Sequence, residues 1–143
     1  MLETLKFIFP SDFAEARRAQ KKVISAVQQH GYDADSVFAI QLALEEAVIN
    51  AIKHGNKFDR KKNVTVEALV SDDRVEISVE DEGCGFDRAC VPDPLAEENI
   101  ERLHGRGLLL MEAYMDDVRY SKGGRRVHLL RLRREPPATG TVA

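Results

Sequence analysis

The sequence predicts an α/β fold, a two-layer sandwich in which helices cover one face of a mostly antiparallel sheet. Two segments in the first third carry apolar residues at helical spacing. Later segments alternate apolar with polar residues and are separated by turn residues, as half-buried strands do. Helical segments precede and interrupt these strands, an order that suits helices packed on one side of a sheet.

Leu5 to Phe9 is a short apolar run closed by Pro10 and reads as a strand. Ser11 is positioned to cap a helix with Asp12 and Glu15 in its first turn. Phe13, Ala16, Gln20, Val23, Ile24 and Val27 form the face of that helix, and Gly31 stops it. A second helix is expected from near Asp33 or Asp35 to His54, with Val37, Ile40, Leu44, Ala47, Val48 and Ala51 turned inward. Val64, Val66, Ala68 and Val70, then Val75, Ile77 and Val79 beyond Ser71-Asp72-Asp73, predict an antiparallel hairpin with one face buried. Asp87 to His104 contains two prolines and several charges and reads as a loop with at most one short helical piece. A helix is expected over Gly107 to Met115, then strands over Val118 to Ser121 and Val127 to Leu132 joined at Gly123-Gly124. One domain over residues 1–135 accounts for these elements, and 136–143 reads as a disordered tail.

Composition narrows the function classes. A chain of 143 residues fits one domain and leaves no room for a second catalytic one. No apolar run reaches the roughly 18 residues that a membrane span requires. The N-terminus has neither a basic region nor a long apolar one, so a cytoplasmic location is expected. A net charge of -3 does not mark a nucleic-acid binder, and Arg125, Arg126, Arg131, Arg133 and Arg134 read as a solvated strand and tail. Cys84 and Cys90 are too few for a disulfide scaffold and lack metal-ligand spacing.

Three groups of residues carry chemistry. On the second helix Glu46, Asn50 and Lys53 lie within about 40° of one another at 3.6 residues per turn. A solvated face is the plain explanation, but Asn50 has poor helix propensity and no charge to aid solubility, and its side-chain oxygen is a hard ligand suited to Mg²⁺. Asp81 continues the inward parity of Val75, Ile77 and Val79, which takes a carboxylate to the buried face. Burial without a partner is costly, so it must meet a protein donor or the donor edge of a ligand. Gly83 and Gly85 follow in a turn where backbone can approach a ligand closely. His104-Gly105-Arg106-Gly107 then precedes a helix whose N–H groups and dipole suit phosphate, with Arg106 able to add a charged contact. Each group is permissive alone, and their fixed order makes the combination specific.

Leu44 to Asn56 resembles the N-box of histidine-kinase-like ATPases in the form found in anti-sigma-factor serine kinases. Asp81-Glu82-Gly83-Cys84-Gly85-Phe86 is similar to the first glycine box of that family, and Gly105-Arg106-Gly107-Leu108 with Met111 to the second. Asp93-Pro94 resembles its short ATP lid. The resemblance spans about Phe7 to Leu132 and implies a Bergerat-type ATP-binding fold. It implies that Asn50 coordinates Mg²⁺ on the nucleotide phosphates, that Asp81 receives the adenine amino group with Gly83 and Gly85 shaping its pocket, and that Glu46 is the general base. Glu45, about 100° round the helix, is the weaker candidate for the base. One departure stands out: relatives carry a Gly-Thr pair that helps bind adenine, whereas Arg125-Arg126 follows Gly123-Gly124 here.

The resemblance further implies a serine/threonine-protein kinase that phosphorylates an anti-anti-sigma protein of the STAS type, sequesters a sigma factor in its other state, and forms a homodimer. No contact with nucleic acid or membrane is expected. The alternative is a catalytically silent module in which ATP or ADP only switches affinity for a protein partner. Retention of Glu46 favours the enzyme.

Overall fold

The computed structural model describes residues 2–83 and 111–134. Its five strands form one antiparallel sheet in the order β1-β2-β3-β5-β4: β1 Glu3–Pro10, β2 Asn63–Val70, β3 Arg74–Glu80, β4 Asp117–Ser121 and β5 Arg126–Leu132. The expected two-layer α/β arrangement is what the chain adopts. Val64, Val66, Ala68 and Val70 of β2 meet Val75, Ile77 and Val79 of β3 and Val127 and Leu129 of β5 on one face. Against that face pack α1, Phe13–Gln29, and α2, Ala34–Asn50.

Both helices begin at aspartate caps, which satisfy N–H groups that have no partner within the helix. Asp33 accepts the Ser36 N–H at 2.9 Å, as its position before α2 predicts. At α1 the cap is Asp12, which accepts the Ala14 N–H at 2.8 Å, rather than Ser11. Ser11 is buried and its hydroxyl donates to the Lys62 carbonyl at 2.9 Å, so tertiary contacts claim the oxygen expected to cap. Gly31 ends α1 at φ +81°, a left-handed conformation that glycine adopts without side-chain strain.

Small residues let α2 lie close to its neighbours. Ala39, Ala43 and Ala47 are buried together with Ile40, Leu44 and Val48. The helix does not run unbroken to His54: Ala51–Gly55 forms a π-helical turn, whose wider i→i+5 spacing is seen where the Asn56 N–H donates to the Ala51 carbonyl at 2.8 Å. Lys53 therefore departs from the angular register predicted with Glu46 and Asn50. Beyond the turn, Lys57 and Phe58 both take left-handed backbone conformations, at φ 52° and 63°, an arrangement costing about 1–3 kcal/mol per residue.

Two expectations about the packing faces are corrected. Phe13 is exposed at the entrance to α1, edge-on to Phe58 with ring centroids 6.1 Å apart, while Ala16, Ala19, Val23, Ala26 and Val27 supply the buried face. Arg131 is not solvated. Its parity along β5 matches Val127 and Leu129, so its side chain enters the helix side of the sheet and is 7% exposed. There Nη1 donates to the Tyr114 carbonyl at 2.6 Å and Nη2 to the Ser36 hydroxyl at 3.3 Å, and burial lowers the guanidinium from its ordinary value. Residues 111–114 are helical, in agreement with the predicted helix over that part. The proline-containing loop of 87–104, Cys84, Cys90 and the tail 136–143 lie outside the described residues.

Candidate functional site

The chemistry-bearing residues that the structure describes gather where the C-terminal end of α2 meets the ends of β3 and β5. On α2, Glu45 is exposed, Ala47 and Val48 are buried, and Glu46 and Asn50 lie half-buried on the flank between these environments. Asn50 lines a cleft with Ala47, Asp81, Met111, Tyr120 and Arg125. The helix margin carrying Asn50 and the strand end carrying Asp81 thus face one space. Glu46 stands one turn before Asn50 and is not part of that lining.

Asp81 follows the last residue of β3 and is 5% exposed. Its backbone N–H donates to the Arg125 carbonyl at 2.9 Å, which ties the strand end to the turn before β5. Its carboxylate accepts the Gly83 N–H at 2.8 Å. Of the two partners its burial allowed, a protein donor or the donor edge of a ligand, the structure shows a protein donor. Glycine at Gly55 and Gly83 is a steric requirement. A Cβ on Gly55 would stand 2.3 Å from Asp81 Cγ, and one on Gly83 would stand 1.9 Å from the Gly55 carbonyl oxygen. The three residues are stacked backbone on carboxylate.

A residue to which sequence reasoning assigned no role holds this stack in place. Asn56 is 1% exposed, and its amide is satisfied at both ends. Nδ2 donates to the Ser11 hydroxyl at 2.9 Å and to the Asn63 carbonyl at 3.0 Å, while Oδ1 accepts the Glu82 N–H at 2.8 Å. The Glu82 carboxylate in turn accepts the Asn63 N–H at 3.1 Å. Asn56 therefore joins the end of α2 and its π-helical turn, the chain after β1, the start of β2 and the Asp81 turn. A polar residue directly after the box glycine was the available signal, but only the folded chain brings its four neighbours together.

Gly124 is buried at φ +97°, and Arg125 follows it at the position where a hydroxyl residue was missed. The Arg125 side chain is exposed and its Nε donates to the Lys122 carbonyl at 3.2 Å, so its backbone, more than its guanidinium, organises the cleft. Gly85, Gly105, Arg106 and Gly107 lie outside the described residues, as do Asp93-Pro94. Among the described residues no group of three or more His, Cys, Asp or Glu side chains is placed to hold a metal ion. Asn50 brings to the cleft margin a neutral side-chain oxygen, a hard ligand of the kind that suits a divalent cation. No helix among the described residues is long and apolar enough to cross a membrane.

The histidine kinase-like ATPase domain family matches residues 9–131 of this chain. A serine-protein kinase RsbW of Listeria monocytogenes is 33% identical over 101 residues, covering 65% of this chain and 64% of the relative. A serine-protein kinase RsbW of Bacillus licheniformis is 38% identical, covering 62% of this chain and 59% of the relative. An anti-sigma F factor of Clostridium perfringens is 39% identical, covering 55% of this chain and 58% of the relative. The chain therefore spans somewhat under two thirds of the length of these relatives. In three dimensions it is similar to a crystal structure of the RsbU and RsbW domains of a Mycobacterium tuberculosis protein, with a TM-score of 0.61, 21% identity, and coverage of 92% of this chain and 32% of that one. That likeness confirms the fold.

Proposed function

This chain belongs to the histidine kinase-like ATPase domain family, and from that membership we propose that it is a cytoplasmic, Mg·ATP-dependent serine/threonine-protein kinase acting on a STAS-type anti-anti-sigma protein, and an anti-sigma factor in its other state. The observation that carries the reading is the meeting of Asn50 and Asp81 at one cleft, with the Asp81 carboxylate seated on Gly55. The names of the relatives, serine-protein kinase and anti-sigma F factor, support the choice of activity and partners.

Asp81 accepts the adenine amino group in this proposal, oriented by the Gly83 N–H that already donates to its carboxylate. A carboxylate accepts and cannot donate, so it selects an exocyclic amine over a carbonyl. Asn50 would hold Mg²⁺, which when bound would supply positive charge to offset the negative charge of the phosphates. Gly83 and Gly85 shape the adenine end, while Gly105, Arg106 and Gly107 contact the phosphates. Glu46 accepts the proton of the partner's hydroxyl. The hydroxyl oxygen bonds to the γ-phosphorus as the bond to the ADP oxygen breaks, and positioning supplies most of the acceleration. Homodimerisation belongs to the same proposal.

The silent binding module is the second reading: it keeps Asn50 and Asp81 at one cleft and needs no base. Incubation with ATP, Mg²⁺ and STAS-domain proteins of the same genome, followed by intact-mass measurement, separates the two. Gain of one phosphate on a serine or threonine supports the kinase. Saturable nucleotide binding with no phosphate gain supports the module, and no nucleotide binding at millimolar concentration rejects both.

A further inference from the structure

Arg131 is a buried cation with one donor unmet. Among the buried side-chain nitrogen and oxygen atoms of the described residues, its Nε alone has no hydrogen-bond partner. The two terminal nitrogens find neutral acceptors, Nη1 the Tyr114 carbonyl at 2.6 Å and Nη2 the Ser36 hydroxyl at 3.3 Å. The acids around the guanidinium are engaged elsewhere. Asp33 accepts the Ser36 N–H at 2.9 Å, and Asp116 accepts from the Leu132 N–H at 2.6 Å and from Arg134 at 2.8 Å. A buried charge on these terms stabilises a fold less than an apolar side chain of the same reach would. Departures of this kind from the rules of core packing concentrate at functional sites.

The elements that this guanidinium joins are walls of the cleft. Met111 is buried and lines the cleft with Asn50 and Asp81, and its carbonyl accepts the Met115 N–H at 2.9 Å, which closes one helical turn. Tyr114 stands at the other end of that turn, about 5 Å along its axis. Its carbonyl is a helix-terminal acceptor with no partner inside the helix, and Arg131 supplies the donor. The Tyr114 ring also meets Phe38 of α2 edge-on, with centroids 6.1 Å apart. Ser36 lies in the first turn of α2, the helix whose far end brings Ala47 and Asn50 to the cleft. The strand that bears Arg131, β5, adds Val127 to the same lining. We propose that Arg131 is a positioning residue of the nucleotide cleft: by clamping the Tyr114 carbonyl to the first turn of α2, it sets how far Met111 stands from the α2 wall. The inference rests on the nucleotide reading of the cleft, and Arg131 itself is not part of the lining.

Arg131→Met keeps an unbranched stem and removes both the charge and the fork. Urea unfolding of the full chain should give a stability equal to or above that of the parent, whereas calorimetry should show affinity for Mg·ATP and Mg·ADP lowered roughly tenfold. A merely structural arginine would move the two quantities together, so a joint loss overturns the proposal, as does parental affinity in the folded variant. Two milder variants carry the test should Arg131→Met fail to fold. Ser36→Ala removes the Nη2 contact and leaves the N–H that Asp33 caps, while Arg131→Lys keeps the charge but cannot bridge two acceptors as a planar fork does. Each should lower nucleotide affinity roughly threefold or more with little change in stability, and parental affinity in both overturns the proposal. Methyl-labelled methionine spectra of the nucleotide-free chain give a readout that needs no ligand: the Met111 signal should shift in Arg131→Met and Arg131→Lys. A parent chain that binds no nucleotide at millimolar concentration rejects the cleft reading and this inference with it. An unmoved Met111 signal rejects the clamp alone, whatever the cleft binds.

Discussion

Gly55 and Asp81, 26 positions apart in sequence, are in backbone-to-carboxylate contact: a single added carbon on Gly55 would lie 2.3 Å from both Cγ and Oδ2 of Asp81. Gly55→Ala must therefore push the acid out of place. We expect a loss of about 1–3 kcal/mol in stability, the usual cost of overpacking, and at least a tenfold weaker affinity for adenine nucleotides. Denaturant unfolding and calorimetry measure the two effects. Gly31→Ala is the contrasting variant, because no atom lies within 4 Å of its added Cβ and only its left-handed φ resists the change. It should cost about 1–2 kcal/mol and leave nucleotide affinity unaltered.

Asn56 gives a second, graded test. Asn56→Ala abandons the Glu82 N–H and the Asn63 carbonyl and should destabilise the chain by about 3 kcal/mol. Asn56→Asp retains the acceptor for Glu82 but turns a buried carboxylate oxygen onto the Asn63 carbonyl in place of a donor, so at neutral pH it should be at least as unstable as alanine in a urea titration. Equal stability of all three proteins would show that the network contributes little.

At the phosphate end, Glu46→Gln should leave ATP affinity within a few-fold while lowering phosphorylation of the partner by roughly 10² to 10⁴. Asn50→Ala should reduce both binding and transfer, since it removes the proposed cation ligand. If Glu46→Gln transfers phosphate at the parental rate and Glu45→Gln does not, the base has been placed on the wrong side of the helix.

Asp81→Asn isolates the adenine contact. The amide presents a donor where an amino group must be received, and ATP and ADP affinity should drop together. Retained affinity for both nucleotides would exclude Asp81 as the adenine acceptor.

A pH effect is expected at the start of α2. Hydrogen bonds from Ser36, first its side chain and then its backbone N–H, hold the Asp33 carboxyl below its ordinary value near 3.8. A depressed carboxyl contributes stability that is present above the unfolded value and is lost as pH falls through the folded one. Asp33→Ala should thus be less stable than the parent by about 0.5–2 kcal/mol at neutral pH, with the gap closing below about pH 4. Parallel urea titrations at several pH values would reveal a constant gap if capping does not depend on the charge.

Periodicity alone identified the two helices, the β2–β3 hairpin and the last strands, because a spacing of 3.6 or 2 reflects which side of an element meets the core. The same parity rule brought Asp81 to the buried face, and the order of the boxes indicated the family. Local pattern could not tell Ser11 from Asp12 as a cap, since the choice depended on Asn56 and Lys62, about fifty residues away. Nor could it find the π-helical turn that shifts Lys53, or foresee that Arg131 would enter the core to meet Ser36 and the Tyr114 carbonyl. Those outcomes belong to the tertiary structure. Hydrogen-bonding partners for buried polar groups come from whatever the sheet and helices bring alongside, and that proximity is set by packing over the whole chain, beyond the reach of any one segment's spacing.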